Sequence, residues 1–210
     1  MTTPDVLVVC TANVARSPLF AALLQAEADA RLGPEVVRVG SAGVQARPGQ
    51  PAAAGSITVA NQHARSLEHH RAQHVATVPL KSVRLILTMT DEHNHQLLAG
   101  RSALRPRTFL LRELVAILAK PEVLAALGGM PDGTHERVHA VTALADRHRP
   151  RRLRKRTWNV PDPIGAELEV YEELGTEFAR SASVIAEALY GSLAARGDGT
   201  GQRPNTERFS

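Results

Sequence analysis

Cys10 is the only cysteine in the chain, and it ends an apolar run that continues as Thr11-Ala12-Asn13-Val14-Ala15-Arg16-Ser17-Pro18. A lone cysteine is most often a core residue, so its surroundings must decide its role. Val6 to Val9 read as a short buried strand; Pro18, Leu19, Phe20, Leu23 and Leu24 read as the first turns of an amphipathic helix. Cys10 to Arg16 is then a strand-to-helix loop. Backbone N–H groups of Thr11, Ala12, Asn13, Val14 and Ala15 can curl round one tetrahedral anion, above the positive end of the helix. Arg16 can grip two oxygens of that anion through its planar fork of donors. A cysteine at the head of such a loop, acting as thiolate, is a nucleophile aimed at phosphorus or a look-alike.

Phosphoryl transfer to a cysteine leaves one demand unmet, a proton for the departing oxygen. Asp162, between Pro161 and Pro163, is the candidate donor. It would protonate the leaving group and then take a proton from the water that hydrolyses the intermediate. The flanking prolines stiffen its loop. On its own, Pro-Asp-Pro is ordinary turn chemistry.

For Cys10 and Asp162 to meet, the chain between them must fold into a layered scaffold. Strand and helix patterns alternate: a strand over 5–9, a helix over 18–32 ended by Gly33-Pro34, and a strand over 36–39. A helix over 51–64 follows despite Gly55, then a strand over 83–87, a helix over 91–98 and an edge strand over 107–110. The last helix, 166–193, carries Leu168, Tyr171, Leu174, Phe178, Ile185 and Leu189 on one stripe. The pattern predicts an α/β fold, a three-layer, doubly wound, four-stranded parallel sheet with helices on both faces and the phosphate-binding loop after strand one. Residues 1–195 are expected to form one domain. Within it, 111–157 reads as a helical insertion before the Asp-Pro loop, with helices over 111–118, 123–127 and 136–145. The polar, glycine-rich tail 196–210 is expected to be disordered. Arg147 to Arg156 read as a solvated connector, or alternatively as an electropositive rim that attracts phosphorylated substrates.

The chain resembles the low-molecular-weight protein tyrosine phosphatases and the arsenate reductases of the same fold. The resemblance rests on the Cys10–Pro18 loop, Val39-Gly40-Ser41-Ala42-Gly43, Leu67 to Ala72, Ile86 to Asp91 with Asn94, and Val160-Pro161-Asp162-Pro163-Ile164-Gly165. It implies that Asn13, Ser17, Ser41 and His70 form a polar network shaping the loop, with Ser17 donating to the thiolate. Read from the residues alone, Ser17 is equally a helix cap and His70 a helix-end histidine with His69 beside it. Three departures stand out. Ala15 replaces the family's second loop cysteine, so no vicinal disulfide can protect Cys10. Ala12 replaces a loop glycine and would be strained if that position requires positive φ. Ile164 and Gly165 occupy the place where many members carry tyrosines that flank an aromatic substrate.

Composition narrows the remaining classes. With 43% apolar residues in 210, the chain can bury a full core. No apolar stretch approaches a membrane span and no secretory leader is visible, so a cytoplasmic location is expected. One cysteine excludes a disulfide framework and suits a reducing compartment. The net charge of +4 is carried almost wholly by arginine, the lysines being Lys81, Lys120 and Lys155. Nucleic acid is disfavoured as a partner, because aromatic content is 3% and no aromatics interleave the basic run. His63, His69, His74, His93 and His95 lack the spacing and partners of a metal site, so neither metal nor organic cofactor is expected. The expected function is a protein tyrosine phosphatase working through a phosphocysteine on phosphorylated proteins, and on small aryl phosphates. The alternative is a single-cysteine arsenate reductase using a low-molecular-weight thiol. A phosphate-sensing module without activity is the remaining reading, and Cys10, Arg16 and Asp162 together argue against it.

Overall fold

Val6–Cys10 (β1) forms the strand from which everything else is hung, and all five of its residues are buried. Even and odd positions go to opposite faces, so a strand covered on both sides must be apolar throughout. In the computed structural model, which describes residues 3–130, 135–150 and 158–192, Val6, Val8 and Cys10 face one core cluster, and Leu7 and Val9 face another. The other strands are Val39–Gly43 (β2), Leu85–Thr88 (β3) and Thr108–Leu110 (β4). All pairings are parallel and the order is β2-β1-β3-β4. The α/β doubly wound sheet expected from the sequence is therefore present.

The helices are Arg16–Leu32 (α1), Ala54–Gln62 (α2), Asp91–Leu98 (α3), Leu111–Leu118 (α4), Pro121–Gly128 (α5), His135–Arg147 (α6) and Leu168–Tyr190 (α7). One face of the sheet is covered by α1, α2 and α7 with α4 to α6 beside them; the other is covered by α3 and short 3-10 turns. Phe20 of α1 meets Phe178 of α7 edge-on, ring centroids 5.1 Å apart, a geometry worth about 0.5–1.5 kcal/mol beyond burial. Pro18 sits in the first turn of α1, where a missing N–H costs nothing. Thr90 caps α3 by accepting from His93 N, with Asp91 and Glu92 in the first turn against the helix dipole. Among the described residues, no helix is long and apolar enough to cross a membrane.

Three expectations need correction. The second strand lies at 39–43 rather than 36–39: Val37 is buried off the sheet, Val36 is exposed, and Val39 is the first residue paired with β1. β-branched residues marked a strand that small residues, Gly40-Ser41-Ala42-Gly43, actually supply. Leu168 is exposed and not part of the buried stripe of α7, because it is the helix's first residue. Arg149 is no solvated connector. It lies over the Phe109 ring, 3.8 Å from the centroid, and donates to Thr108 O, Arg105 O and the carboxylates of Glu113 and Asp146. The rest of the basic run from Arg151 and the tail 196–210 lie outside the described residues.

Candidate active site

At the carboxyl end of a doubly wound sheet, the crevice forms where consecutive crossovers diverge. Here that point lies between β1 and β3, and the loop from Cys10 to Arg16 sits on it. The loop is held from outside. Val44 N and Gln45 N donate to Cys10 O and Thr11 O, Ala53 N to Val14 O, and His70 Nε2 lies 2.7 Å from Asn13 O. Because a carbonyl can only accept, His70 carries its proton on Nε2. Burial pushes its pKa down, and the bond to Asn13 opposes that. Gly43 allows the close fit: a Cβ there would stand 2.4 Å from Thr11 O.

Asn13 is the residue at positive φ, 57°, and Ala12 is not. The strain anticipated at Ala12 is therefore absent, and falls on an Asn, one of the few non-glycine residues that tolerate it. The Asn13 side chain is fully buried. Its Nδ2 donates to Ser17 Oγ (2.9 Å) and Ser41 Oγ (2.8 Å), and its Oδ1 accepts from Gln73 N (3.0 Å). Ser17 is inside α1 rather than capping it, and its Oγ lies 3.0 Å from Cys10 Sγ. Ser17 accepts from Asn13, and its own hydrogen has two acceptors within reach, Cys10 Sγ at 3.0 Å and Ala42 O at the longer 3.4 Å. Asn13 N also donates to Sγ at 3.3 Å. Asn13, Ser17, Ser41 and His70 thus meet as one network.

Arg16, 4% exposed, is the first residue of α1. Its Nη1 donates to Val160 O (3.2 Å), and its Nη2 to Asp162 Oδ2 (2.5 Å) and Thr11 Oγ1 (3.4 Å). Arg16 Nε is buried with no acceptor among the described residues. The Asp162 side chain, 47% exposed, faces the open side. Its segment is bolted down on the buried side: Val160 N to Met89 O, Asp91 N to Asn159 Oδ1, and Arg112 Nη1 to Asn159 O. Arg112 is itself clamped by both oxygens of Glu177 on α7. The prolines supply the stiffness, and these bonds supply the position.

His93, Gln73 and Arg112 belong to this assembly and escaped the sequence reading. His93 stood there only among histidines tested for metal spacing. Its actual signal is its place on α3, five residues beyond β3, the strand whose carboxyl end adjoins that of β1. Gln73 reaches Ser41 O through its side chain. No group of three His, Cys, Asp or Glu among the described residues is placed to hold a metal ion.

A cysteine-headed anion loop on the first strand of a parallel sheet, facing an arginine and a carboxylate, defines a class of cysteine phosphatases. The sequence pattern of the family described as low molecular weight phosphotyrosine protein phosphatase matches residues 5–124. The chain belongs to that family. It is 37% identical to the low molecular weight protein-tyrosine-phosphatase Wzb of Escherichia coli over 106 residues, 50% of this chain and 68% of that one. Among solved structures it resembles the low molecular weight protein tyrosine phosphatase of T. tengcongensis (TM-score 0.63, 25% identity, 89% of this chain and 100% of that one). It shares its fold with the YwlE arginine phosphatase of Geobacillus stearothermophilus (TM-score 0.61, 23% identity, 88% and 91%). The family match ends before Asp162, so the reading of that residue rests on the geometry.

Proposed function

We propose that the protein hydrolyses phosphate monoesters on phosphorylated proteins through a phosphocysteine intermediate. Cys10 Sγ attacks phosphorus in line, the S–P bond forms and the ester P–O bond breaks. The loop N–H groups and Arg16 hold the equatorial oxygens through the transition state. Asp162 gives its proton to the leaving oxygen, then takes one from the water that cleaves the S–P bond and frees inorganic phosphate. Ser17, by donating to sulfur, eases departure of Cys10 in the second step. The observation that carries this reading is the 2.5 Å contact of Arg16 with Asp162 beside a loop whose hydrogen bonds point at Cys10 Sγ. Ser41 and His70 act by holding that loop. A lone cysteine nucleophile suits a reducing compartment, which supports a cytoplasmic location.

Phosphotyrosine is the substrate that the relatives' names support. Ile164, 54% exposed, and Gly165 follow Asp162 where an aromatic flank would stand, and they favour a second reading in which no aromatic ring bears the phosphate. Phosphoarginine, after YwlE, is the form to compare. Arsenate reduction draws no support from the relatives, which are phosphatases by name. The test is turnover of an aryl phosphate, phosphotyrosyl and phosphoarginyl peptides, and arsenate with a thiol, in wild type and Cys10→Ser. Loss of ester hydrolysis with phosphate binding retained is expected in the variant; retained turnover would overturn the assignment.

A further inference from the structure

His93 is buried, 4% exposed, on the first turn of α3, and its Nε2 lies 2.8 Å from Thr11 Oγ1. The same Thr11 oxygen is 3.4 Å from Arg16 Nη2. A guanidinium can only donate, so toward Arg16 the hydroxyl must accept. The hydroxyl keeps a second lone pair and its one hydrogen, so it can either give that hydrogen to an unprotonated His93 Nε2 or accept from a protonated one. In the first arrangement the chain runs Arg16 N–H to Thr11 O, Thr11 O–H to His93 N.

We propose that His93 is a positioning residue of the anion site, taking the Thr11 hydroxyl hydrogen so that a Thr11 lone pair faces Arg16 Nη2 and sets the plane of the guanidinium. This rests on the phosphatase reading only in assuming that Arg16 binds the oxyanion. The surroundings keep the ring neutral. Burial pushes the His93 pKa down to about 4, and Arg16 on α1 pushes the same way against the smaller opposing pull of Asp162 and Glu92. A protonated ring would turn an N–H toward Thr11 and set a second cation beside Arg16. In the tautomer that accepts from Thr11, Nδ1 carries the ring's hydrogen and is buried with no partner among the described residues, so the bond to Thr11 is the ring's one side-chain anchor there. The link also ties the loop after β1 to the helix after β3, across the crevice of the sheet.

The experiment is a double-mutant cycle on full-length protein with inorganic phosphate as probe, its affinity measured by calorimetry and kcat/KM followed with an aryl phosphate. His93→Phe keeps a ring and removes the acceptor; Thr11→Val removes the hydroxyl; His93→Gln restores an acceptor. Each of the first two is expected to weaken phosphate binding by roughly tenfold, the loss of one bond in a charged network. The double variant should be no weaker than either single one, because both cut the same chain. His93→Gln should recover to within about threefold of wild type. Additive losses, a Gln variant as impaired as Phe, or a Phe variant that binds as wild type would each overturn the proposal. Thermal unfolding of each variant in parallel separates misfolding from lost positioning, and His93→Gln keeps the question open if Phe does not fold. If wild type binds phosphate with the expected coupling but turns over no ester, the phosphatase reading fails and the role of His93 stands.

Discussion

Arg16 and Asp162 are 146 positions apart in the chain, yet Arg16 Nη2 donates to Asp162 Oδ2 at 2.5 Å. The side chain proposed to bind the substrate's phosphoryl oxygens thus also holds the proposed acid. In the proposed mechanism an oxyanion held by Nη2 would compete with Asp162 for that donor and free its carboxyl group for the leaving oxygen.

Asp162→Asn is therefore expected to separate two effects. Hydrolysis of esters with poor leaving groups should fall by about 10²–10⁴-fold, and that of a nitrophenyl ester much less, since a good leaving group departs almost unaided. Inorganic phosphate should bind at least as tightly as to wild type, because a neutral amide competes less well for Arg16. An equal loss on both esters would instead mark a turn aspartate with no acid role.

Asn13 permits a separation of conformation from hydrogen bonding. Asn13→Gly keeps access to the 57° φ but loses the bonds to Ser17, Ser41 and Gln73 N. Asn13→Ala loses both. A lost bond that leaves a buried partner unsatisfied costs about 1–3 kcal/mol, Ser17 keeping its contacts with Cys10 and Ala42, and Ala adds about 1–2 kcal/mol of backbone strain. Urea unfolding should rank wild type above Gly and Gly above Ala. An Ala variant as stable as Gly would remove φ strain from the account.

The loop and its sheet were legible because their signals are local. Val6 to Val9 read as a short buried strand, and the order cysteine, loop, arginine, helix follows from adjacent residues. Family resemblance, not periodicity, named Ser41 and chose His70 over the exposed His69. What stayed hidden was fixed by distance. No local pattern says that His93 meets Thr11, that Arg112 holds Asn159, or that Gly43 is glycine because Thr11 O passes beside it. Arg149 misled for the same reason: a run of arginines reads as solvated until Phe109 and Glu113 are known to lie beneath one of them.

Arg149 is expected to matter for stability rather than chemistry. Glu113 is almost fully buried, its carboxyl pushed up by burial against the opposing pull of Arg149. Removing one partner of a buried pair leaves the other uncompensated, at about 3–5 kcal/mol. Arg149→Ala should lose that much by urea unfolding, while kcat/KM of the folded fraction changes little. Arg149→Lys should recover only part, because an ammonium cannot serve Thr108 O, Arg105 O and two carboxylates at once. A drop in kcat/KM with stability unchanged would point instead to the electropositive rim.

His93 also sets how stability responds to acid. Its pKa is about 4 in the folded chain against 6.5 for a free histidine, so between those values the unfolded chain binds a proton that the folded one refuses. Stability is therefore fully present above about pH 6.5 and is lost as pH falls toward 4. One such group gives a slope approaching about 1.4 kcal/mol per pH unit in that window, and His70, shifted the same way, adds to it. Urea unfolding of wild type and His93→Gln at pH 7 and pH 5 isolates the contribution of His93, since the carboxylates are common to both. The Gln variant should lose less stability between the two pH values. Equal losses would mean that His93 takes up its proton as readily in the folded chain as in the unfolded one, and the neutral acceptor facing Thr11 would go with it.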